Sequence, residues 1–322
     1  MINIYKLNNI KTDPSQNSIP IIQSKLTTFL VLVFIAAALL LTGCQTEGTI
    51  EWEGGTYTGQ IYMGKPNGEG YWIHPDGDRM EGEWDDGHLH GEGVVTLSDG
   101  THYEGELKNG LMHGEGKVIR ADGTIYEGEF YEGRAHGEGK TIKLDGSIYR
   151  GRYEGGMKYG WGELILPEDG ITYEGEFAED MFHGYGVMEV EDAFTYKGEF
   201  REDLFHGYGE MTYADGVTYL GEFENGLFHG TGEINHPDGA SYRGEFKEGQ
   251  FHGQGTFITE DGSVYTGEFK NGKYHGIGTM EFADGSVYEG EWAEGKFHGE
   301  GKLTFPDGEE LEGTWEEHEF VE

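Results

Sequence analysis

One feature constrains this chain before any other: it repeats itself. Starts of the form "YEGEF" occur at Tyr57, Met80, Tyr103, Tyr126, Tyr149, Tyr173, Tyr196, Tyr219, Tyr242, Tyr265, Tyr288 and Leu311. Every interval is 23 residues except the one from 149 to 173, which is 24. A fixed period of this length means a stack of small supersecondary units, each too small to bury its apolar face alone.

The residues inside one period say which unit it is. Alternate residues of an extended strand share a face, so Tyr219, Gly221 and Phe223 point one way while Leu220 and Glu222 point the other. Gly209, Met211 and Tyr213 form the matching set on the strand before. Between them lies "ADG" (Ala214, Asp215, Gly216). A three-residue turn, type I with Gly216 in the left-handed region, sets Met211 opposite Tyr219 and Tyr213 opposite Val217. A two-residue turn slips the register by one and sets aromatics against polar residues. Pro75, Pro237 and Pro306, each at the first loop position, fit position i+1 of type I. Each period therefore reads as a β-hairpin with one aromatic face, whose glycines leave room for neighbouring rings. At residues 191–194, "EDAF", Ala193 stands where other turns have Gly, which predicts either a strained Ala193 or a different turn. Composition agrees: 58 glycines, only 7 prolines and 14% aromatics suit β structure rich in tight turns rather than collagen or disorder.

The pattern "YEGEFKNGKYHGIGTMEFADGS" resembles the MORN (membrane occupation and recognition nexus) repeat, from residue 57 to about 315. The fold class this implies is all-β: a single elongated, twisted antiparallel sheet of stacked 23-residue hairpins. The array is expected over 57–322, as about eleven full repeats and a C-terminal half-repeat. The resemblance also implies a role in interaction and in organisation near membranes.

Residues 26–43, "LTTFLVLVFIAAALLLTG", are the long apolar run. Lys25 precedes it and Cys44, the sole cysteine, follows it. Positive charge, apolar stretch and small residues before a cut site make a secretory signal. Ending on "LTGC", it resembles a bacterial lipoprotein signal. The resemblance implies cleavage between Gly43 and Cys44, a diacylglycerol on Cys44, and a membrane partner held through that lipid. An uncleaved anchor is the other reading, but its apolar core of about sixteen residues falls short of the ~20 needed to span a bilayer. Gln45 in place of Asp implies outer-membrane sorting in a Gram-negative cell. Residues 1–43 are thus read as signal peptide, and 44–56 as the lipidated cysteine with a short tether. With one cysteine, no intramolecular disulfide is possible.

The formal net charge is −39, and without residues 1–43 it is −41. Nucleic acid and anionic lipid headgroups repel such a surface, so neither is an expected partner. A protein partner is. Nine histidines recur before glycine: His90, His113, His136, His183, His206, His229, His252, His275 and His298. Two strands, about 10 Å, separate neighbouring copies, so successive ones cannot share a zinc ion at about 2 Å per ligand. They are read as packed or hydrogen-bonded residues of the inter-hairpin loops, with the following glycine at positive φ. The "GEF" glutamates (Glu129, Glu176, Glu199, Glu222, Glu245, Glu268, Glu291) are read as a solvated polar face, with weak cation or cationic-partner binding as the alternative. No P-loop, "GxSxG" or "HExxH" is present. No catalytic, cofactor or metal residue is assigned. The expected role is a non-catalytic binding or scaffolding surface on an envelope lipoprotein, the alternative a cell-envelope enzyme or glycan binder using the groove of the sheet. The repeat at 149–172, with Arg152 for Glu, Tyr159 for His and one extra loop residue, reads as a local bend or partner site.

Overall fold

A computed structural model describes residues 45–322 of the chain. The signal segment, the Gly43–Cys44 cleavage site and Cys44 itself lie outside the described residues. Those described contain 25 strands and no helix, and the strands form one antiparallel sheet that does not close on itself. They divide into two compact units, 45–169 with 177–180, and 170–176 with 181–322.

Each repeat supplies a first strand of seven or eight residues and a second of nine or ten. Within the repeat at 219 these are Thr218–Glu224 and Leu227–Asn235. The expected alternation is present: Tyr219 and Phe223 are buried, while Leu220 is 47% exposed. The core is a layer made mostly of rings, joined by side chains such as Leu89, Val118, Met188 and Met211. Tyr219 stacks on Phe228 at 3.8 Å between centroids, and meets Phe223 at 5.1 Å and Phe246 of the next repeat at 5.2 Å edge-on. The edge-on contacts to Phe223 and Phe246 have the favoured aromatic geometry. Gly221 and Gly232 lie opposite each other beneath the tyrosine, and a Cβ on Gly232 meets its ring at 2.6–2.8 Å. The glycines are the floor on which the ring lies.

Two turn types alternate. At Ala214–Gly216 the Gly216 N–H donates to Tyr213 O at 2.9 Å and the Tyr213 N–H to Val217 O at 2.8 Å, with Gly216 at φ 89°. Met211 faces Tyr219. The three-residue turn and its register are as the sequence predicts. Ala193 resolves to the second of its two alternatives. It is Asp192 that carries positive φ, 55°, and the Ala193 N–H closes a turn onto Val190 O at 3.0 Å.

The other turn lies elsewhere than expected. Asn225-Gly226 forms a two-residue loop with φ values of 51° and 79°, the geometry of type I′ that Asn-Gly favours. The inter-hairpin loop is therefore at Asn-Gly, and His229 sits two residues inside the following strand. Each such turn is tied to the repeat before it: the N–H of Gly226 donates to Phe205 O, and that of Gly249 to Phe228 O, both at 2.9 Å.

Residues 45–56, expected as a tether, are instead largely sheet. Thr46–Trp52 pairs with Gly55–Tyr62 in continuous register from Thr46↔Ile61 to Trp52↔Gly55. Gly and Glu have low strand propensity, which is why "EGTIEWEGG" reads as linker. Pairing with a strand already in place outweighs that preference, and Trp72 Nε1 donates to Trp52 O at 2.7 Å to hold the end.

Candidate functional site

The His-Gly motif is a bulge. Along the first strand Gly221 faces Gly232, yet the next residue, Glu222, faces His229. Gly230 and Thr231 are thus left without partners on that strand and pair with Phe246 and Glu245 on the following one. Gly230 has φ 56°, where L side chains are strained, and a Cβ there meets the Glu222 carboxylate at 2.6 Å. The expected positive φ after each histidine is present, within a strand rather than a loop.

Both faces of the sheet satisfy the bulge. On the outer face Glu222 Oε1 accepts the Thr231 N–H and hydroxyl, each at 2.9 Å. These bonds hold the Glu222 carboxyl below its ordinary pKa. Glu129, Glu176 and Glu245 do the same for the N–H of Glu138, Tyr185 and Gln254 at 3.1, 3.2 and 2.9 Å. On the core face Tyr219 Oη donates to Glu222 O at 2.8 Å, and Tyr242 Oη to Glu245 O at 2.8 Å. The glutamates read as solvent-facing are so, but they also replace the ladder bonds that the bulge removes. Cross-strand pairing is what brings Glu222 to Thr231, nine residues on, and the sequence alone carries no sign of it.

The histidines line the outer face opposite these glutamates: Glu199 faces His206, Glu245 faces His252, Glu268 faces His275 and Glu291 faces His298. Among the described residues no three His, Cys, Asp or Glu side chains group as metal ligands. No helix among them is long and apolar enough to cross a membrane.

The repeat at 149–172 departs further than its sequence reading allowed. Lys158 occupies the position of Phe205 and Phe228 in the core. Its Nζ lies 3.7 Å from Asp180 Oδ1 and 5.5 and 6.0 Å above the rings of Tyr149 and Phe177. Side chains of both ions are nearly buried, 12% and 8% exposed. Asp180 also stands, at φ 70°, where other turns have Gly, and its Oδ1 accepts the Lys158 N–H at 2.9 Å. Aligning the repeats at this position exposes the lysine; attention to Glu and His positions alone passes over it. The extra residue lengthens the loop to Pro167–Gly170, between Met157–Leu166 and Ile171–Ala178.

A variable position on the outer face also escaped the sequence reading. In "HGxG", and at the same phase of "NGEG" (67–70) and "YGWG" (159–162), the x residue is Glu at 69, 92, 115, 138 and 300, and Thr231 and Gln254 at two others. It becomes Trp161, Tyr185, Tyr208 and Ile277 elsewhere, all at least half exposed.

No curated protein matches the chain. Among solved structures, it is similar to the wild-type TCP10 domain of Danio rerio CPAP in complex with a peptide of Danio rerio STIL. That likeness is at 14% identity and a TM-score of 0.31, over 76% of this chain and 97% of that one. It is also similar to a virginiamycin B lyase from Staphylococcus aureus, at 13% identity and a TM-score of 0.14, over 86% and 87%. Scores this low carry no argument about this chain. The model of the MORN repeat matches residues 57–79, 81–102, 103–125, 126–148, 173–189, 196–218, 219–241, 242–264, 265–287 and 288–310. The interval 149–172, with its buried lysine, falls outside these ranges. Ten phased matches across most of the array place the chain in the MORN repeat family.

Proposed function

We propose that this protein is a lipid-anchored scaffold of the bacterial cell envelope, which binds a protein partner on its repeat array and catalyses no reaction. The observation that carries the reading is the use made of its chemically capable residues. The repeated carboxylate that a glycan-cleaving site would need is, in Glu222 and its equivalents, bound to the bulge N–H of its own sheet. Glu222, held in its ionised form by these bonds, is poorly placed to donate a proton. Repetition of one surface along a stacked array is the usual basis of extended binding faces. The anchor rests on residues 26–44, with Cys44 as the lipidated residue, and places the array in the periplasm or outside the cell. Cys44→Ala in the full-length chain, expressed in a bacterium, moves the protein out of the membrane pellet and abolishes the mass added by acylation. Persistence in the pellet with unchanged mature mass overturns the anchor.

A further inference from the structure

We propose that the outer sheet face carrying Tyr185 and Tyr208 docks an extended, arginine- or lysine-rich segment of a partner protein. This rests on the binding reading above and names the partner's chemistry. Both tyrosines belong to the same unit and occupy the variable position of "HGxG", which faces away from the ring core. They are 50% and 56% exposed. The fold asks nothing of a ring there, since Thr231 and Gln254 serve in the two repeats that follow. Leu220, 47% exposed, continues the apolar surface. Single exposed apolar residues are ordinary, but neighbouring ones at one phase form a patch.

What surrounds the rings selects the occupant. Tyr185 faces Glu199 across the sheet and Tyr208 faces Glu222. Glu176 lies beside Tyr185, accepting its N–H, and Glu210 faces Leu220. Rings and carboxylates therefore alternate. Tyr185 and Tyr208 stand on strands either side of Phe194–Arg201, two strand spacings or about 10 Å apart. Three residues of an extended chain cover the same distance at about 3.3 Å each. A segment with a cation at every third position can lay each charge over a tyrosine face with a carboxylate beside it, combining cation–π attraction with an ion pair. The net charge of −39 steers such a segment in. The same charge opposes a second copy of this chain, nucleic acid and anionic lipid.

The test uses the full-length chain in neutral detergent micelles at about 0.15 M salt, where long-range attraction is largely screened. The probe is a dye-labelled peptide with arginine at every third position, read by fluorescence anisotropy, beside its glutamate counterpart. The arginine peptide binds and the glutamate peptide does not. Tyr185→Ala with Tyr208→Ala weakens binding about tenfold, two exposed cation–π contacts converted to affinity. Tyr185→Phe with Tyr208→Phe keeps binding within about twofold, because the ring face is retained. Gln254→Ala with Ile277→Ala, at the same phase in later repeats, changes nothing. Equal binding by wild type and the alanine pair overturns the proposal, as does equal loss in the control pair or no binding of the arginine peptide by wild type. None of these outcomes alters the Cys44 fractionation result, so a failed docking site and a failed anchored-scaffold reading are told apart.

Discussion

At Gly232 one methyl group is enough to probe the ring core. The backbone there is compatible with any residue, yet a Cβ meets Tyr219 at 2.6–2.8 Å. Gly239 is the opposite case, with φ +95° and nothing within 4 Å of an added Cβ. Gly232→Ala is therefore destabilising by overpacking, by about 1–3 kcal/mol. Gly239→Ala is destabilising by backbone strain, by about 1–2 kcal/mol. Similar totals have different causes, and a double-mutant cycle separates them. With Tyr219→Ala as background, the Gly232→Ala cost disappears from denaturant midpoints while the Gly239→Ala cost stays. A Gly232→Ala penalty that survives removal of the ring shows that the steric account is wrong.

Between the strands, the turns and bulges are where backbone strain collects. Type I′ loops strain non-glycine residues, as at Glu202 (φ 50°) and Asp203 (φ 65°). There the Asp203 carboxylate offsets part of the strain by accepting the Phe182 N–H at 2.7 Å. The turn at 191–193 carries positive φ on Asp192. Asp192→Gly is accordingly expected to raise stability by about 1 kcal/mol. Ala193→Gly is expected to gain nothing and to lose up to about 1 kcal/mol through the more flexible unfolded chain. Thermal melting of the two variants decides, and stabilisation by Ala193→Gly in place of Asp192→Gly contradicts the turn described here.

For the molecule as a whole, the buried tyrosines set its response to alkali. Burial pushes the phenols of Tyr57, Tyr274 and Tyr288 up to about 12, and those of Tyr126, Tyr196, Tyr219 and Tyr242 upward in the same sense. In the unfolded chain a phenol ionises near its ordinary value of 10.0. A raised native pKa gives stability that is whole below pH 10 and is lost as pH rises through 12. Because the same tyrosine recurs in repeat after repeat, the effect accumulates along the array. The midpoint of denaturant unfolding should hold level up to about pH 9 and fall steeply above pH 10. A level midpoint to pH 12 contradicts a core built on buried neutral tyrosines.

The period of 23, the hairpin, the aromatic face with its glycine floor and the three-residue turn were all legible from residues close in the chain. They depend on strand alternation and local turn chemistry, which a sequence displays directly. The strand at Thr46–Trp52 was not legible, because only the waiting edge of Gly55–Tyr62 makes it favourable. Nor was the bulge at Gly230, which moves Glu222 from the frame of Gly232 to that of His229. That displacement converts a joint expected in a loop into one inside a strand, and a solvated glutamate into a hydrogen-bond acceptor. Lys158 against Asp180, and the shared face of Tyr185 and Tyr208, were decided in the same way. Local chemistry specifies the hairpin, but register between strands is a contest among pairings that only the packed sheet settles, since its aromatic layer admits one of them.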